Sequence, residues 1–189
     1  MIRVAVVDDH PAVRVGLDAL LRSEPGVVPV GAAERPQEVP PLIYRTQPDV
    51  VLLDYQLPGE DGLTVCRRIT AEVPAPAVLI YSAFADASLI VPAIVAGAVG
   101  IVHKGRMGHE LFEALRLAAR GESAMPPVSP DLMETAALAL APEDVPVLGM
   151  LIERLPKRDI RQVLGCSPAE LNQRVARMLK AMRAPTTVP

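Results

Sequence analysis

Val50-Val51-Leu52-Leu53-Asp54 sets four apolar residues, two of them β-branched, directly ahead of one carboxylate. An unbroken apolar run of this length reads as a strand covered on both faces, the environment of a parallel sheet. Asp54 then stands at the carboxyl end of a buried strand, where open α/β sheets gather their chemistry. Leu57-Pro58-Gly59 turns the chain sharply straight afterwards.

The same pattern recurs along the front of the chain. Residues 2–7 form a second apolar run, which ends in Asp8-Asp9, and residues 27–30 form a short third. Residues 77–81 run into Ser82, and 100–103 into Lys104. Between them lie helical patterns. One opens at His10-Pro11 and carries Val13, Leu17, Leu20 and Leu21. A helix over 36–45 must be delayed or broken by Pro40-Pro41. Further helices are predicted over 62–71, 88–96 and 111–119. Strand and helix alternate five times within about 120 residues, which predicts an α/β fold: a doubly wound (βα)5 parallel sheet with right-handed crossovers.

Parallel strands bring their carboxyl ends to one edge, so Asp8, Asp9, Asp54, Ser82 and Lys104 converge although they are far apart in sequence. Clustered carboxylates repel and stay ionised together only beside a cation. Oxygen ligands of this kind suit Mg²⁺, which keeps some of its waters and accepts a phosphate oxygen. Lys104 can neutralise an incoming phosphoryl group and the Ser82 hydroxyl can donate to it. Asp54, leading straight out of a buried strand, is the best placed nucleophile.

Behind residue 121 the character changes. Gly121 through Pro130, with Pro126-Pro127 and Ser129-Pro130, reads as a linker, followed by a short apolar helix over 132–140. From residue 142 the pattern is helical only, with helices over 145–155, 157–164 and 168–182. Ser167 is a good N-cap, with Pro168 at the first helical position and Glu170 in capping-box register. The last helix carries Leu171, Val175, Met178, Leu179 and Met182 on one face, with Asn172, Gln173, Arg174, Arg177 and Lys180 largely elsewhere. Two helices joined by a short Gly-containing turn, the second basic on its open face, describe a helix-turn-helix.

Charge divides along the same boundaries. Residues 1–121 carry 11 basic and 14 acidic side chains, 122–141 carry 0 and 3, and 142–189 carry 8 and 5. The basic excess at the back hints at nucleic acid. No run of 18 apolar residues and no basic start ahead of an apolar stretch occurs, so neither a membrane span nor a secretion signal is expected. Cys66 and Cys166 form no ligand pattern and fit a reducing cytoplasm.

The motifs VVDDHP, VVLLDYQLPGEDGL, YSA and HKG, in that order, make residues 2–121 resemble the receiver domain of bacterial two-component response regulators. With the helices behind, the chain resembles the NarL/FixJ subfamily, whose output domain is LuxR-like. The resemblance implies a flavodoxin-like receiver over 1–121, a linker over 122–141, a helix-turn-helix domain over 142–184 and a tail over 185–189. It implies phosphate acceptance by Asp54, Mg²⁺ held by Asp8, Asp9, Asp54 and the backbone carbonyl of Gln56, and phosphate contacts from Ser82 and Lys104. His10 and His103 flank the site and are taken as structural.

The chain departs from this family in four places. Ile101 stands where the family has an aromatic ring that changes rotamer on activation. Pro92 falls inside the fourth helix, which is therefore expected to start late, with Pro92 in its first turn, or to kink there. The family's Thr-Val-Lys-x-His in the recognition helix is here Glu170-Leu171-Asn172-Gln173-Arg174, which brings in a carboxylate that would face phosphate. The family's final, dimerising helix is expected to be missing behind Met182.

The leading expectation is a transcriptional regulator phosphorylated by a sensor histidine kinase or a small phosphodonor. It would contact duplex DNA through Asn172, Gln173, Arg174, Arg177 and Lys180, and phosphorylation would release the C-terminal domain or build a homodimer. The alternative keeps the receiver and gives the C-terminal helices a protein partner. An aspartyl-phosphate phosphatase of the haloacid dehalogenase type needs a second acid two positions after the nucleophile, and this chain has Gln56 there. No enzyme is expected.

Overall fold

In the computed structural model, residues 1–83, 86–106 and 108–183 are described. The expected tail over 185–189 lies outside them. Five strands, β1 (Ile2–Val7), β2 (Val27–Ala33), β3 (Val50–Asp54), β4 (Ala77–Ser82) and β5 (Gly100–His103), pair in parallel in the order β2-β1-β3-β4-β5. Helices α1 (Pro11–Ser23), α2 (Val39–Thr46), α3 (Gly62–Ile69), α4 (Ala87–Ala96) and α5 (His109–Ala119) make the crossovers.

Side-chain alternation divides the core in two. Val4, Val6, Leu52, Leu79 and Tyr81 pack on one face against Leu17 and Leu21 of α1 and Leu111 and Leu115 of α5. Ala5, Val7, Val51, Leu53, Val78 and Ile80 face α2, α3 and α4. Every residue of β3 is buried, as its continuous apolar run requires. The prolines of the second helix delay it: Pro36–Glu38 forms a 3₁₀ turn, and Pro40 and Pro41 fall in the first turn of α2. Backbone N–H groups there have no helical partner in any case.

α4 does not start late, the first of the two outcomes expected for it. It begins at Ala87, capped by Asp86, whose Oδ1 accepts from the Ser88 N–H at 2.9 Å. Five helical residues thus precede Pro92, which lies inside the helix and not in its first turn. The cap fixes the start, and burial outweighs the one backbone hydrogen bond that Pro92 removes. Leu89, Ile90, Val91, Ala93, Ile94, Val95 and Ala96 are all buried. A helix apolar all round is a helix covered all round. α4 lies against α3 and β5 on the receiver side and against the following helices on the other.

Those helices are α6 (Pro130–Leu138), α7 (Val145–Ile152), α8 (Lys157–Leu164) and α9 (Pro168–Met182). The stretch leading to them pairs with the sheet edge, the Ala124 N–H donating to the Val99 carbonyl at 2.8 Å. Gly165 ends α8 in the left-handed region, with φ of 61°. Ser167 and Glu170 make the capping box at the start of α9. Val147, Leu148, Ile160, Leu171, Val175 and Met178 belong to the same apolar cluster as α4 and the sheet face beneath it. Among the described residues no helix is long and apolar enough to cross a membrane.

Candidate phosphoacceptor site

The carboxyl edge of the sheet gathers the expected residues. Asp8 follows β1, Asp54 ends β3, Ser82 ends β4, and all three are buried. Lys104 follows β5, its N–H bonded to the Ser82 carbonyl at 2.9 Å. Its ammonium bridges the carboxylates, with Nζ 2.6 Å from Asp8 Oδ2 and 2.8 Å from Asp54 Oδ2. The Tyr81 ring lies below, its centroid 5.8 Å from the same nitrogen.

Burial pushes the Asp54 carboxyl above its ordinary value, and hydrogen bonding to Lys104 draws it only part of the way back. Burial works to lower Lys104, but its hydrogen bonds to Asp54 and Asp8 prevail and hold it above the ordinary lysine range. The pair is therefore a carboxylate made more basic beside a firmly protonated cation. The backbone N–H of Gln56 donates to Asp54 Oδ1 at 3.3 Å, so the residue expected to lend its carbonyl also touches Asp54.

Asp9 completes the acid cluster, half-exposed, with its Oδ1 buried and without a hydrogen bond. His10, taken as structural, joins this cluster: its Nδ1 is 2.7 Å from Asp9 Oδ1 and 3.3 Å from Asp8 Oδ1. One ligand atom from each of Asp8, Asp9, His10 and Asp54 falls within 4.8 Å of the others. Three carboxylates gathered this closely suit a hard divalent cation, which takes oxygen ligands. Direct adjacency to Asp8-Asp9 was the one signal that could have singled out His10 beforehand.

α3 is pressed onto the loop after β3 through Gly62. Its N–H donates to the Tyr55 carbonyl at 2.7 Å, and a Cβ built there would lie 2.2 Å from the Asp54 carbonyl oxygen. The obstacle is backbone and cannot swing aside. Gly62→Ala is expected to lower stability by about 1–3 kcal/mol, as overpacking does, and to slow phosphoryl uptake by displacing Asp54. Thermal unfolding and uptake from acetyl phosphate check the two effects separately.

Ile101, in the place of the switch aromatic, is half-exposed and packs towards the α4 face. It lines a cavity of about 290 Å³ with Asp86, Ile90, His103, Arg106, Glu110 and Pro126.

The residues expected to meet DNA spread over α9 unequally. Gln173, Arg177 and Lys180 are exposed, while Asn172 and Arg174 are half-buried. Buried Asp144, just before α7, draws two of them: its Oδ1 is 3.4 Å from Arg174 Nε and 3.5 Å from Arg177 Nη2. Glu170, expected to face phosphate, turns back instead and accepts from the Ser167 N–H at 2.7 Å. Two ties to the receiver had no sequence signal. Lys157 Nζ donates to the Thr70 carbonyl at 3.0 Å, and Arg183 donates to the Asp61 carboxylate and, at 2.6 Å, to Thr64 Oγ1.

Residues 4–116 match the model of the response regulator receiver domain. The transcriptional regulatory protein LiaR of Bacillus subtilis is 35% identical over 122 residues, 65% of this chain. The chain spans little more than half, 58%, of LiaR's own length. The DNA-binding transcriptional activator DevR/DosR of Mycobacterium tuberculosis is 30% identical over 194 residues, 95% of this chain and 87% of that protein. Among solved structures, a two-component response regulator of the LuxR family from Aurantimonas is 35% identical, with a TM-score of 0.61 over 70% of this chain and 92% of that one. The receiver fold, the acid cluster bridged by Lys104 and relatives that continue through the helical segment agree: the chain belongs to the response regulators, of the NarL/LuxR type.

Proposed function

We propose that this regulator accepts a phosphoryl group on Asp54 from a sensor histidine kinase or a small phosphodonor in the cytoplasm, and controls transcription through its C-terminal helices. The observation that carries the proposal is the Lys104 ammonium held between Asp8 and Asp54 at the carboxyl edge of the sheet. A carboxylate oxygen of Asp54 attacks phosphorus, the donor's phosphorus bond breaks, and the donor leaves with that bonding pair. Lys104 balances charge gathering on the phosphoryl oxygens, and Ser82 at the end of β4 donates to one of them. Asp8, Asp9, Asp54 and the Gln56 carbonyl would hold Mg²⁺, which supplies charge neutralisation for the phosphoryl group.

The DNA half of the proposal is supported by the basic face of α9 and by the kinship with DevR/DosR, a DNA-binding activator by name. Turning Glu170 into its own helix cap removes one objection to phosphate contact. Phosphorylation would then tune regulation, with association into homodimers as one route. A protein partner in place of DNA is favoured by a single observation, the pull of Asp144 on Arg174 and Arg177.

Binding to a mixed pool of duplex DNA at two salt concentrations, with Mg²⁺ alone and with Mg²⁺ plus beryllofluoride as the phosphoryl stand-in, tests this reading. Affinity is expected to fall steeply with salt, as counterion release requires, and to rise with beryllofluoride. No binding in either state would turn the search to protein partners.

A further inference from the structure

α9 has two opposite faces in this structure. Leu171, Val175, Met178 and Leu179 are buried in the core shared with α4. Gln173, Arg177 and Lys180, at spacings of four and three, share one side of the helix and are exposed. The receiver therefore covers the apolar side of α9 and leaves the basic side open. Residues 154–183 carry eight basic and two acidic side chains, and one of those acids, Glu170, is spent on the cap of α9.

Three features hold the helical segment where it is. Lys157 ties α8 to the carboxyl end of α3 through Thr70, and Arg183 ties the end of α9 to the start of α3 through Asp61 and Thr64. Between these ties, α4 is apolar all round and covered on its outer side by α6, α7 and α9. Lifting the helices away would return that surface to water. Asp144, beneath α9, fixes the inner side of Arg177 while the arginine stays 59% exposed.

We infer that the Gln173–Arg177–Lys180 face of α9 is a docking surface for the phosphate backbone of duplex DNA that stands open while the helical segment remains packed on the receiver. Phosphorylation at Asp54 therefore does not act by uncovering this face. The inference rests on the DNA reading above and adds its geometry: receiver and helices bind as one body.

A crosslink that forbids separation tests it. Thr64→Cys and Arg183→Cys, combined with Cys166→Ser, place two thiols across the interface for a short bifunctional maleimide. Cys66 does not compete, because it is buried and its thiol is pushed up to about 12. Crosslinked and uncrosslinked forms of this variant are expected to bind mixed-sequence duplex DNA with affinities within about twofold and with the same salt slope. Adding Arg177→Ala and Lys180→Ala should flatten that slope by about one for each DNA phosphate no longer neutralised. Binding by the uncrosslinked form alone would overturn the inference and leave the DNA reading standing. Binding by neither form, nor by the parent chain, would overturn both.

Discussion

Asp54→Ala is expected to abolish phosphoryl uptake altogether while leaving the chain folded. Intact mass after incubation with acetyl phosphate and Mg²⁺ reads the first effect, and thermal unfolding the second. The loss should be complete because Asp8, the other buried acid of the site, has one oxygen on Lys104 and the other on the His10 N–H, and Asp9 sits at the margin, half-exposed. Both lie beyond the end of β1, whereas Asp54 ends β3, the central and wholly buried strand of the sheet. Stability should change little, or rise. The native carboxylate is buried and raised above its ordinary value, so it costs the fold desolvation that Lys104 only partly offsets. Removing it leaves Lys104 paired with Asp8 and relieves repulsion among the acids. A variant that still gains one phosphoryl mass would move the acceptor to another carboxylate.

Much of this site was legible in the sequence because parallel topology does the gathering. Once the runs ending in Asp8, Asp54, Ser82 and Lys104 are read as strands, one sheet edge must hold all four. Legibility failed where a residue's role depends on what packs against it. Asp86 fixes the start of α4 ahead of Pro92, and a propensity rule for proline cannot see that cap. Glu170 looked like a charge aimed at phosphate, yet the capping box read from the same residues already contained its real partner. Arg174 and Arg177 looked free until buried Asp144, some thirty residues earlier in the chain, came to lie beneath them. Lys157 and Arg183 had no pattern to announce their bonds to α3 and its flanks. These are long-range pairings between polar atoms, and periodicity carries no information about them.

α4 is where both kinds of reading meet, and it sets the second large expectation. Ala87–Ala96 has no polar stripe, so as the outer helix of a free-standing receiver it would put a continuous apolar surface into water. In the full chain that surface is covered by α6, α7 and α9, whose Leu148, Val175 and Met178 lie in one cluster with Val91 and Val95 of α4. Each such side chain is worth about 1.5–3 kcal/mol when fully buried, and a domain of this kind has only about 5–15 kcal/mol of net stability. A chain ended at Gly121 should therefore aggregate or bind hydrophobic dye where the full chain does not. The full chain should unfold in one transition reported alike by the receiver and the helices. Met178→Ala, wholly inside the helical segment, tests this without truncation. It should cost about 2–5 kcal/mol as a buried cavity does, and the loss should shift the whole transition, including the beryllofluoride-sensitive signal of the receiver. Two separate transitions, with only the later helices responding to Met178→Ala, would mean that α4 is stable uncovered and that the shared core does not couple the two parts.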